Sequence, residues 1–194
     1  MTENDELGRT LRSDAERNRD RIVSAARAAF REQGADAPMK AIANRAGVGT
    51  ATLYRRFPTR EDLLAYVFSD RLTGCEDSVH AALANASPWQ GLVDHINHLV
   101  RLQLEDRAFT AVFLYEFPPD SPVSRSRAEA GKALHQLLDA AKTAGDLRED
   151  ADENDIMLLL KANDGVLRWA VEPAAESARL VARLLDALRL TKTH

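Results

Sequence analysis

Ala and Leu together number 57 of the 194 residues, whereas Val and Ile number 15. The first pair are the strongest helix formers, and the second are what a sheet needs on its pleated faces. No run alternates apolar and polar residues with a period of two, so the chain is expected to be all-α. Apolar residues recur instead at intervals of three and four, between stops written in glycine and proline.

Those stops divide the chain into about nine helices. A mobile arm over residues 1–13 is expected before a first helix from about Asp14 to Gln33, with Ile22, Ala25, Ala26, Ala29 and Phe30 on one face and Gly34 as its end. A short second helix has Pro38 at its first position, where the missing N–H is harmless. It buries Met39, Ile42, Ala43 and Ala46 and stops at Gly47. A third spans Thr50 to about Phe57 with Leu53 and Phe57 inward. Thr59 and Asp62 have capping-box spacing and open a single long fourth helix to about Ala84. Five more follow. One opens at Ser87-Pro88 with Gln90 as a box partner, a short one covers about Arg107–Phe117, and one runs from Ser121-Pro122 to Gly145. One extends from Asp152 to about Val171, and the last from about Ala175 to Leu190. The natural division is a module over 14–60 and a larger body over 61–194.

Charge separates the same two parts. Residues 1–60 carry a balance of +4 and residues 61–194 a balance of −8. A basic end on an acidic body suits a polyanionic partner at that end, although a solvated charged surface explains the numbers equally well. The single cysteine, Cys75, excludes an internal disulfide framework. The densest apolar run, Ile156 to Leu160, stops at Lys161, far short of the roughly 18–20 residues of a membrane span. The polar N-terminus has no signal-peptide core, so a cytoplasmic protein is expected.

The functional signal lies between the second and third helices. Gly47-Val48-Gly49 makes a tight turn, Ala43 and Ala46 allow close approach, and the third helix projects Thr50, Ala51, Thr52, Tyr54, Arg55 and Arg56. That face is polar and cationic, with no acid. A major groove is about one helix wide, so a helix-turn-helix of this kind fits it. Enzyme signatures are missing. Cys75 and His80 have no third member, His95 and His98 share a helix face without further ligands, and no G-x-S-x-G, Walker or G-x-G-x-x-G pattern occurs. An enzyme is not expected, nor a cofactor or metal. A helical scaffold without DNA is the other reading, and the basic module argues against it.

The residues Arg21-Ile22-Val23, Ala25-Ala26, Phe30, Gly34, Ile42-Ala43, Ala46-Gly47-Val48, Thr52-Leu53-Tyr54, Phe57-Pro58 and Glu61-Asp62-Leu63 resemble the DNA-binding domain of TetR-type transcriptional regulators. "TATLYRRFPTREDLL", Ser87-Pro88-Trp89 and "AAKTAGDLREDADENDIMLLLKANDGV" are similar to members with an SbtR-like C-terminal domain. The resemblance implies an all-helical homodimer. Its three N-terminal helices bind double-stranded operator DNA, and its C-terminal domain binds a small-molecule effector. It implies DNA contacts from Lys40, Arg45, Gly49, Thr50, Ala51, Thr52, Tyr54, Arg55, Arg56 and Arg60, with Tyr54 on the phosphate backbone. Arg45 reads equally as a cation at its own helix end. Arg56 stands where the family most often has histidine, Arg60 where it has lysine, and Ala37-Pro38 replaces a threonine that would bond phosphate.

The body holds Tyr66, Phe68, Trp89, Phe109, Phe113, Tyr115, Phe117 and Trp169. Trp89, His95, Phe109, Phe113 and Asn163 are candidates to line an effector pocket, with plain core as the competing reading. Dimerisation through the last two long helices would use Ile156, Leu160, Asn163, Leu167, Leu180, Leu184 and Leu188. No membrane partner is implied.

Overall fold

The computed structural model describes residues 3–114 and 117–190. It contains ten helices: α1 (Glu3–Gln33), α2 (Met39–Ala46), α3 (Thr50–Arg56), α4 (Arg60–Val67), α5 (Ser69–Leu83), α6 (Pro88–Glu105), α7 (Arg107–Phe113), α8 (Pro122–Thr143), α9 (Glu153–Trp169) and α10 (Pro173–Leu188). Among the described residues there is no strand. One isolated antiparallel bridge, Leu147 to Arg189, ties the end of α10 to the loop after α8. No described helix is long and apolar enough to cross a membrane.

Local signals set most boundaries. Thr59 and Asp62 form the expected reciprocal box, with Asp62 N–H donating to Thr59 Oγ1 at 3.0 Å and Thr59 N–H to Asp62 Oδ2 at 3.1 Å. Ser87 caps α6, but the Gln90 amide turns forward to Asp94 instead of closing a box. Asp152 and Asp155 form a second full box at α9. Pro38 sits at the cap of α2 itself, extended at ψ 129°, one residue earlier than expected.

Two expectations are corrected. The expected arm over 1–13 is helical from Glu3 onward, continuous with α1. Met1, Thr2 and Tyr115 lie outside the described residues. The single long fourth helix is two, α4 and α5, broken at Phe68 (φ −113°, ψ 15°). The carbonyls freed there find side chains: Arg27 Nη2 donates to Val67 O at 2.8 Å, and Ser69 Oγ to Tyr66 O at 3.2 Å. The break aims the Phe68 ring inward, where it is 1% exposed. Its neighbours are Phe30 of α1 at 6.1 Å between centroids and Phe109 of α7 at 5.9 Å.

One apolar core runs from Ile22 and Phe30 through Leu63, Phe68, Leu92 and Ile96 to Leu160 and Val181. Inside it lies one polar knot. Asn163 Nδ2 donates to Gln103 Oε1 at 2.8 Å, Gln103 Nε2 to Leu160 O at 3.0 Å, and Ser177 Oγ to Asn163 Oδ1 at 2.7 Å. It joins α6, α9 and α10. Helices α5 and α6 touch backbone to backbone, because a Cβ on Gly91 would run into the carbonyl of Ala82.

Candidate nucleic-acid interface and effector cavity

Helices α2 and α3 are held at the turn by Gly47 (φ +64°), a conformation that only glycine adopts cheaply. Its N–H bonds the carbonyls of Ala43 and Asn44, and Arg21 Nη2 of α1 donates to its carbonyl at 3.0 Å. A Cβ at Gly47 would strike that guanidinium. Gly47→Ala should therefore cost about 1–3 kcal/mol, read as a lower urea midpoint. Gly49 is different. Its φ is −67° and a Cβ there meets only Thr52 Oγ1, at 3.9 Å, so the turn does not require glycine at that position.

Leu53 and Phe57 anchor α3 beneath, 0% and 4% exposed. The opposite face leaves Thr50, Ala51, Tyr54, Arg55 and Arg56 exposed and Thr52 half-buried. Tyr54 is 47% exposed. The tyrosine that packs on the module is Tyr66, against Phe57 at 5.4 Å and under Arg19. Among the described residues nothing pairs with Lys40, Arg55 or Arg56. Arg45 is committed to Glu32, at 2.8 and 2.9 Å, rather than to its own helix end. Arg60 bonds Ala35 O at 3.2 Å and Asp36 at 3.4 Å, which holds the loop between α1 and α2.

In the body, α5 to α9 line a half-open, mainly apolar cavity of about 220 Å³. His95, Leu99, Phe113, Leu134, Ile156, Met157 and Leu160 line it, with Cys75, Arg127 and Glu153. Of the expected residues, His95 and Phe113 are in the wall. Phe109 is not, because it packs, tilted, between Phe68 and Phe113 in the core. Trp89 is buried under Arg189, 5.4 Å from its guanidinium carbon, away from the cavity. Asn163 is consumed by the polar knot. Arg127 and Glu153 were missed because a charge on an amphipathic helix reads as solvent-facing. Cys75 was legible as an inward residue from its spacing to Leu72 and Val79.

Burial controls the titration here. Desolvation, with a smaller effect of His98, pushes His95 down to about 4. Desolvation pushes the Cys75 thiol up to about 12, so it carries no thiolate. His95 is therefore neutral at pH 7. Between 6.5 and about 4 the unfolded chain binds a proton that the folded chain refuses, so stability falls as pH drops through that window. Denaturant titrations at pH 7.5 and 4.5 should differ by about 3 kcal/mol on this account. The gap should shrink in His95→Gln.

The expected dimer stripe is also redistributed. Ile156, Leu160 and Asn163 point into the protomer, 2%, 1% and 0% exposed, and so cannot meet a partner. Leu167, Leu180, Leu184 and Leu188 are half-buried. The outward face of α9 is Leu158 and Trp169, 65% and 88% exposed, and Leu158 shares a groove with Ala162, Leu184, Ala187 and Leu188.

Residues 22–67 match the family model described as bacterial regulatory proteins of the tetR family. Residues 87–190 match that of the SbtR-like transcriptional regulator C-terminal domain. The HTH-type transcriptional repressor KstR of Mycolicibacterium smegmatis is 32% identical over 149 residues, 72% of this chain and 71% of that protein. A tetR-family regulatory protein from Rhodococcus RHA1 superposes with a TM-score of 0.68 at 21% identity, over 90% of this chain and 98% of that one. The ketosteroid transcriptional regulator KstR2 of Mycobacterium tuberculosis does so at 0.63 and 18% identity, over 88% and 94%. Both share the fold.

Proposed function

The chain belongs to the tetR family of bacterial regulatory proteins, and from that premise we propose that it represses transcription as a homodimer on a (pseudo)palindromic operator and releases it when a small molecule fills the cavity. The family is one of DNA-binding transcriptional regulators, not enzymes. Residues 14–60 contact DNA, and residues 61–194 bind the effector and pair the subunits.

The observation that supports this reading best is the outer face of α3, where Tyr54, Arg55 and Arg56 stand exposed with no acid beside them. Arg55 reads a base edge, and Tyr54, Arg56, Thr50 and Lys40 hold phosphate. Arg45 and Arg60 exchange carboxylates for phosphate, a small cost because exposed ion pairs contribute only about 0–1 kcal/mol. Selection of bound DNA from a random pool tests the proposal. The enriched site should be a two-fold repeat with half-sites about 34–36 Å apart or a multiple of it, and affinity should fall steeply with salt. Recovery of no common sequence would refute it.

Pairing uses the outer faces of α9 and α10, and Gly165 of α9, with nothing within 4 Å of its would-be Cβ, leaves room for a mate's helix. Leu184→Gln with Leu188→Gln should yield a 21.4 kDa monomer by light scattering and lose tight operator binding.

The link to DNA is the row of rings. Phe113 in the cavity wall packs at a tilt on Phe109 at 5.7 Å, Phe109 on Phe68 at the α4–α5 break, and Phe68 on Phe30 of α1. A ligand that displaces Phe113 moves the break and, through α1 and α4, the module. A coupling of about 1–3 kcal/mol changes operator affinity about 5- to 150-fold.

A further inference from the structure

The cavity also carries information about what fits it. Its wall is mostly apolar, and each polar group has a defined state. The Cys75 thiol is uncharged. Arg127 and Glu153 bring opposite charges, and both are occupied: Arg127 lies over the Phe113 ring at 5.6 Å, and Glu153 Oε1 is 3.0 Å from His135 Nδ1. Arg127 and Glu153 cancel in sign, so the wall offers no net charge to repay the desolvation of an ion.

His95 is the exception. It is 95% buried, being 5% exposed, and lines the cavity. Ser78 Oγ lies 3.0 Å from its Nδ1. With the half-exposed Ser78 hydroxyl as donor in this pair, Nδ1 accepts. A neutral imidazole carries one proton, which then sits on Nε2. Nε2–H has no partner among the described residues. It is the ring atom of His95 left to bond a guest.

Size narrows the class. An apolar cavity of about 150 Å³ accommodates benzene, and this one is about 220 Å³. We propose that the cavity binds an uncharged, apolar molecule of about one ring, bearing one hydrogen-bond acceptor such as a ketone oxygen, which accepts from His95 Nε2–H. This rests on the reading of the cavity as the effector site.

The test is calorimetric titration of the full chain with four probes of one shape: acetophenone, ethylbenzene, benzoate and benzylamine. Acetophenone should bind about 5- to 10-fold tighter than ethylbenzene, the worth of one hydrogen bond. The two charged probes should give no heat. His95→Phe should bring acetophenone and ethylbenzene to equal affinity, and Leu134→Trp, which fills the space, should abolish both. If His95→Phe misfolds, His95→Gln, which keeps a donor, should still favour acetophenone. Tighter binding of benzoate or benzylamine overturns the uncharged class and leaves the cavity as a binding site. An acetophenone preference unchanged in His95→Phe overturns the role of His95. No binding of any probe overturns the proposal. If acetophenone binds as expected yet does not weaken retention on the selected DNA, the ligand class stands and the effector reading fails.

Discussion

Asn163→Leu is expected to lower the unfolding free energy by about 3–5 kcal/mol, seen as a large fall in the urea midpoint. The leucine is close in volume, so the loss is not a cavity effect. It comes from two stranded groups, the hydroxyl of Ser177 and the side-chain oxygen of Gln103, both in residues at most 3% exposed. Each buried polar group left without a partner costs about 1–3 kcal/mol. Ser177→Ala removes one donor and should cost less, about 1 kcal/mol. The subunit mass decides between a knot inside the protomer and a polar contact across subunits. A knot lowers stability and leaves the dissociation constant of the proposed dimer unchanged. A contact across subunits would do the reverse.

The second large effect concerns DNA. Arg55→Ala should weaken binding to the selected operator about 10- to 100-fold, the range for loss of a good bidentate base contact. Arg56→Ala should weaken all DNA more evenly and reduce the slope of log affinity against log salt by about one, as loss of a phosphate contact does. Neither guanidinium has an intramolecular partner among the described residues, so stability should stay within about 0.5 kcal/mol of the parent. Selection on the Arg55→Ala protein provides the control. Its enriched sites should lose preference at one position per half-site, and full preference there would place base reading on another residue.

What the chain disclosed by itself depended on whether the cause was local. The turn between α2 and α3 was legible because glycine at position 47 and alanines at 43 and 46 each answer a steric demand within a few residues. The break at Phe68 was not. Leu64, Val67, Phe68 and Leu72 continue a helical stripe through it with no glycine or proline, and its freed carbonyl is held by Arg27, 40 residues away. The same holds for Asn163, whose partner Gln103 is 60 residues distant. Spacing showed a polar residue on a buried helix, but not what it bonded. On α9 the run from Ile156 to Leu160 is apolar all the way round, so periodicity could not tell the face toward the core from the face toward solvent. Ile156 and Leu160 went inward and Leu158 outward. In the cavity between α5 and α9, pattern named two wall residues, His95 and Phe113, and overlooked Arg127 and Glu153.

The contact at Gly91 has a mechanical consequence. With the backbone of α6 resting on that of α5, these two helices cannot slide or part without losing contact along their whole crossing, so they form a stiff wall. The opposite wall is α8 and α9, where Gly131 and Met157 line the cavity and a would-be Cβ on Gly131 meets nothing within 4 Å. A side chain added at position 131 would therefore act on the cavity from the α8 side and leave the α5–α6 contact untouched.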